Sequence, residues 1–129
     1  MTPTKILIID DDRDLCGELS DILAAEGYAV SIAFDGVTGK ALADRQDYDI
    51  LLLDLRLPGM SGLDILRSIG SARGRRAVLV ISGSPLDSSL PKQERDDTAS
   101  EIRCLADRLI PKPFDVEELL EVVREFSRR

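Results

Sequence analysis

The sequence predicts an α/β protein, a doubly wound five-stranded parallel sheet with helices on both faces. Three observations carry this. Short apolar runs alternate five times with segments whose apolar residues recur at helical spacing, the pattern of repeated strand–helix units. The runs are apolar at nearly every position, as strands buried on both sides must be. The length, 129 residues, suits one compact domain, taken as residues 1–129 with its body at about 4–126.

Each element has its own justification. Lys5–Ile9 (KILII) reads as the first strand. Leu15, Leu19, Ile22 and Leu23 recur at i, i+4, i+7 and i+8, one face of a first helix, with Gly27 as its C-cap. Residues 28–33 (YAVSIA) form the second strand, and Gly36–Asp44 a short helix carrying Val37, Ala41 and Leu42. The third strand is 49–53, followed by a helix over 62–69 with Leu63, Leu66 and Ile69. The fourth is 77–81 (AVLVI). The segment 84–106 holds Pro85, Pro91 and the polar run KQERDD, with few apolar residues before Ile102 and Leu105. It predicts a loop and then a helix over roughly 94–105, with KQERDD as a solvated face. Residues 108–110 are a short fifth strand. Asp115 opens the last helix in a capping box with Glu118, and Val116, Leu119, Leu120 and Val123 make its apolar stripe.

Composition narrows the function. Hydrophobic content of 43% and charged content of 32% are ordinary for a globular chain. The net charge of -7, from 17 basic and 24 acidic residues, argues against nonspecific nucleic-acid binding. No apolar run approaches the ~20 residues that span a bilayer. The opening MTPTKILIIDDD lacks a cleavable signal pattern, because its apolar run is short and ends in acids. Cys16 and Cys104 form no CxxC and read as buried, reduced thiols, which fits a cytoplasmic protein. The absence of histidine excludes His-based acid–base catalysis, His-based metal sites and autophosphorylation on His within this chain.

Parallel sheets of this kind bind ligands beyond the C-terminal ends of their strands. Asp10, Asp11 and Asp12 follow the first strand, and Asp12 suits the cap of the next helix. Asp54 interrupts the apolar run LLLDLRLPGM after the third strand. Ser82 follows the fourth, and Lys112 follows the fifth, between Pro111 and Pro113. An ionised Asp in an apolar setting is costly unless a cation compensates it. Two carboxylates ~4 Å apart repel by ~1 kcal/mol in water and ~4 kcal/mol at an effective dielectric of 20. Lys112 alone cannot neutralise this group. A hard divalent cation can, and an all-oxygen site with few protein ligands suits Mg²⁺, with Asp11 and Asp54 as direct ligands. A metal-bound Asp is also a nucleophile towards phosphorus, with Mg²⁺, Lys112 and the Ser82 hydroxyl stabilising the phosphoryl oxygens.

Four motifs in order, ILIIDDD, LLLDLRLPGMSG, VLVISGS and IPKPF, each at a strand end, resemble the receiver domains of two-component response regulators. The resemblance implies a flavodoxin-like fold with strand order 2-1-3-4-5. It implies that Asp54 accepts a phosphoryl group from a phosphohistidine on a sensor histidine kinase or histidine phosphotransfer protein. Asp11, Asp54 and the backbone carbonyl of Arg56 would bind Mg²⁺, with Asp10 acting through water. Ser82 matches the switch hydroxyl and Lys112 the phosphoryl-pairing lysine, in a cis Lys112-Pro113 peptide. A downstream protein partner, or an output domain absent from this chain, would read the switch. No membrane or nucleic-acid contact is implied for this domain.

The departures from the pattern are specific. Leu109 stands where the family usually has Tyr or Phe, three residues before the lysine. Gly83 replaces a common Ala, and the Ser82–Lys112 interval is longer than usual, with the surplus in 84–100 and a lengthened loop or non-standard fourth helix expected there. These departures favour a rival, a pseudo-receiver that works by constitutive protein contact; the intact acids and Lys112 oppose it. A Mg²⁺-dependent phosphatase with an aspartyl nucleophile would need a second acid two residues after it, where this chain has Arg56. A switch that acts only on its own phosphorylation, not a turnover enzyme, is therefore expected.

Overall fold

In a computed structural model, residues 2–70, 74–83 and 91–128 are described. The elements run β1 Lys5–Ile9, α1 Arg13–Ala25, β2 Ala29–Ala33, α2 Gly36–Asp44, β3 Ile50–Leu53, α3 Gly62–Gly70, β4 Ala77–Ser82, α4 Lys92–Leu105, β5 Arg108–Pro111 and α5 Val116–Ser127. All strand pairings are parallel, in the order β2-β1-β3-β4-β5. This is the doubly wound sheet that the sequence predicted, in the strand order that the resemblance implied.

Side chains alternate across a strand, so each continuous apolar run feeds two cores. Ile6, Ile8, Ile50, Leu52, Leu79 and Ile81 face α1 and α5, where they meet Leu19, Leu23, Leu119 and Val123. Leu7, Ile9, Leu51, Leu53, Val78 and Val80 face α2, α3 and α4, where they meet Ala43, Ile65, Leu66 and Ile102. The three inner strands are buried almost throughout, while the edge strands β2 and β5 are partly exposed.

Aspartates start three of the helices. Asp12, Asp35 and Asp115 accept from the N–H groups of Leu15, Thr38 and Glu117, at 3.1, 2.7 and 2.9 Å. These bonds satisfy N–H groups that the first turn leaves unpaired. The Asp115 bond thus falls on the second residue of α5. Glu26 is the C-cap of α1, and Gly27 comes next with φ +96, the left-handed conformation that glycine adopts without strain. α4 begins at Lys92, directly after Pro91, two residues before the expected start near 94, so the polar run forms its first turns. The predicted loop over 84–90 lies outside the described residues.

One expectation is corrected. Cys16 is buried, but Cys104 is exposed. Ile102 is the one buried residue of α4, and Cys104 lies two positions on, turned to the solvent face of a helix otherwise made largely of polar residues. No helix among the described residues is long and apolar enough to cross a membrane.

Candidate metal and phosphoryl site

The parallel register carries the ends of β1, β3, β4 and β5 to one edge of the sheet. Asp10 N–H donates to the Ala33 carbonyl at 3.1 Å, and Asp54 N–H to the Ile9 carbonyl at 2.9 Å. Lys112 N–H reaches the Ser82 carbonyl at 3.0 Å. Sheet-like bonds therefore fix the backbones of these strand-end residues independently of their side chains. Two glycines let the loop after β3 lie close to its neighbours. At Gly62 a Cβ would run into the Asp54 carbonyl, and at Gly36 into that of Met60. Gly62 N–H instead donates to the Leu55 carbonyl, and Gly36 N–H to the Pro58 carbonyl, both at 3.0 Å.

Asp10, Asp11 and Asp54 each present a carboxylate oxygen within 4.8 Å of the other two. Asp10 and Asp54 are buried and Asp11 is exposed. Lys112 Nζ lies 2.8 Å from Asp10 Oδ2 and 3.5 Å from Asp54 Oδ2. The peptide from Lys112 to Pro113 is cis. Asp10 Oδ1 also accepts from Asp12 N–H at 3.0 Å, and Asp54 Oδ1 from Arg56 N–H at 3.1 Å. Cys16 Sγ donates to the Asp10 carbonyl at 3.3 Å from beneath the site.

The charges tune one another. Burial pushes the Asp54 carboxyl above the usual carboxylate range; the Arg56 N–H opposes this, and the nearby Asp10 charge adds to it. Burial works against the Lys112 charge, but its hydrogen bond to Asp10 and the Asp10 and Asp54 charges outweigh it, so the ammonium sits above the usual lysine range. Burial, then the charges of Asp10 and Asp12, push the Cys16 thiol up to about 12.

The donor set fits a hard divalent cation: three carboxylates, one already short of compensation, with no sulfur or imidazole among them. Ser82 Oγ adds a separate sign of a missing group. It is buried at this edge with no hydrogen-bond partner among the described residues. A buried hydroxyl left unpaired costs roughly 1–3 kcal/mol, so it is suited to an acceptor that arrives later.

A family model described as the response regulator receiver domain matches residues 6–124. The chain belongs to that family. As a receiver domain it is a signalling module and not a turnover enzyme. Response regulator ArlR of Staphylococcus saprophyticus is 36% identical over 126 residues, which cover 98% of this chain and 53% of that protein. Sensory transduction protein RegX3 of Mycobacterium tuberculosis is 35% identical over 98% of this chain and 52% of its own length. This receiver thus spans about half the length of the curated relatives it matches. Among solved structures, a CheY-like receiver domain protein from Methanospirillum hungatei aligns with TM-score 0.77 and 28% identity, over 96% of this chain and 93% of that one. TrrA of Thermotoga maritima, solved in complex with Mg²⁺-BeF, aligns with TM-score 0.76 and 26% identity over 95% and 98% of the two chains.

Every strand-end residue predicted from the sequence lies at this edge. Two relationships were not legible. The shortest contact of Lys112 is to Asp10, not Asp54. Arg56 contributes an N–H to Asp54, a main-chain donor that no side-chain motif announces.

Proposed function

We propose that this receiver accepts a phosphoryl group on Asp54 from a phosphohistidine donor and works as a phosphorylation-dependent switch. One observation carries the reading: a buried carboxylate, the Lys112 ammonium and two further carboxylates converge at one sheet edge beside an unpartnered buried hydroxyl. Asp54 Oδ attacks phosphorus; an O–P bond forms, the P–N bond to the imidazole breaks, and the imidazole leaves with its electron pair. Lys112 stays protonated and offsets charge on the phosphoryl oxygens. The Ser82 hydroxyl donates to one of those oxygens, which draws the end of β4 towards Asp54. Asp11, Asp54 and the Arg56 carbonyl would hold Mg²⁺, with Asp10 reached through a water. That ion would supply Lewis-acid stabilisation of the phosphoryl charge. The Mg²⁺-BeF complex of TrrA supports the same assignment by likeness. The donor would be a sensor histidine kinase or a histidine phosphotransfer protein, and a protein partner or an output domain would read the result.

Acetyl phosphate and Mg²⁺ test this directly. Phos-tag electrophoresis is expected to show one retarded species for the wild type, none for Asp54→Asn and none with EDTA. An unshifted wild type overturns the reading. Leu109, 40% exposed where relatives usually carry an aromatic ring, favours one rival: a module that binds its partner without phosphorylation. Mg²⁺ titration separates the two, because a site devoted only to protein contact has no reason to bind the ion.

A further inference from the structure

α4 is weakly seated. Of its 14 residues only Ile102 is buried, and no side chain among the described residues caps its N-terminus. Leu105 lies against Gly70 of α3. A directed polar link joins the two helices in the same turn as Ile102. Arg67 Nε and Nη2 of α3 donate to Glu101 Oε2 and Oε1, both at 2.8 Å. This is a bidentate fork, the geometry that makes an arginine–carboxylate pair specific. Asp64 Oδ1 lies 3.6 Å from Arg67 Nη1 and steadies the guanidinium from its other side. The hydrogen bond from Arg67 holds the Glu101 carboxyl below its usual range.

The two helices hang from the two halves of the site. α3 starts at Gly62, whose N–H is bonded to the carbonyl of Leu55, the neighbour of Asp54. α4 is the next helix in the chain after Ser82, the last residue of β4. The Arg67–Glu101 pair therefore ties the arm after the acceptor to the arm after the hydroxyl.

We propose that the Arg67–Glu101 pair is a latch that holds α4 on α3 in the unphosphorylated arrangement and so limits how readily Asp54 becomes phosphorylated. The inference rests on the phosphoacceptor reading above. An interaction made in one arrangement and lost in the other biases the equilibrium by the difference. Arg67 and Glu101 are positioning residues: neither touches the site. Their side chains are 50% and 35% exposed, so the effect belongs to the range of partly screened pairs.

The test compares the full chain with Arg67→Ala, Glu101→Gln and the exchanged pair Arg67→Glu/Glu101→Arg. The readouts are the initial rate of phosphorylation by acetyl phosphate with Mg²⁺ and the calorimetric affinity for beryllofluoride with Mg²⁺. Both single variants are expected to gain about two- to fivefold in rate and affinity, and the exchanged pair to return towards wild type. A merely structural role would lower both. Lys40→Ala, which breaks the exposed Lys40–Asp44 pair on α2, is expected to change neither. Glu101→Gln keeps the side-chain shape, so a folded variant is available. Unchanged or slower phosphorylation in the single variants overturns the latch while leaving the phosphoacceptor in place. A wild type that takes no phosphoryl group removes the phosphoacceptor itself.

Discussion

Lys112 serves two carboxylates unequally, at 2.8 Å from Asp10 and 3.5 Å from Asp54. Asp54 is thus the less compensated acid, which is why burial wins and its carboxyl rises. A raised carboxyl contributes stability that is complete below the unfolded-state value and is lost as pH rises through the folded-state value. Without metal, the ionised Asp54 therefore works against folding at neutral pH. Asp54→Asn is expected to raise Tm at pH 7 in EDTA, with the gain shrinking as pH falls through the raised folded-state range of the wild-type carboxyl and vanishing once the unfolded-state carboxyl is protonated too. Differential scanning calorimetry across pH checks this; a lower Tm for the variant at pH 7 would contradict it. The thiols give a second residue-scale outcome. Cys16 is fully buried and its thiol stands at about 12, whereas Cys104 is exposed. A disulfide reagent at pH 8 is expected to titrate one thiol in the native protein and both in denaturant. Two fast thiols in the native state would refute the placement of Cys16.

At the scale of elements, the loop beyond each strand matters as much as the strand. The loop after β3 is held against Asp54 because two glycines leave room for backbone carbonyls. Gly62→Ala would drive a methyl into the Asp54 carbonyl and is expected to destabilise the fold by about 3 kcal/mol, read as a lower urea midpoint. A neutral substitution would show that the loop has slack. The element boundaries were mostly legible because each strand is a dense apolar run and helices α1, α2 and α5 begin at aspartates. α4 was the hardest to place, since its single buried residue leaves almost no periodic signal. Its attachment to α3 through Arg67 and Glu101 joins residues 34 positions apart and leaves no local trace.

For the whole molecule, the sheet separates two cores while one edge concentrates negative charge, on a chain that is already net acidic at -7. Mg²⁺ that binds only the folded state should therefore stabilise it. At a free ion concentration of ~100 times Kd the gain is about 2.7 kcal/mol, expected as a rise in Tm that Asp11→Asn largely abolishes. Calcium-free thermal melts with and without Mg²⁺ check this; a Tm indifferent to Mg²⁺ would remove the ion from the account.

The sequence by itself determined the fold class and which residue types stand at the strand ends. Helical spacing and the apolar density of the strands belong to each segment alone, and a parallel sheet must align its strand ends. Only the tertiary structure decided which partner each group takes. Lys112 settles on Asp10, Arg56 lends its N–H to Asp54, Cys104 turns outward, and Arg67 grips Glu101. Those choices depend on differences of about an ångström or less in the separation of groups mostly far apart in the chain, and no local pattern of residues carries that information.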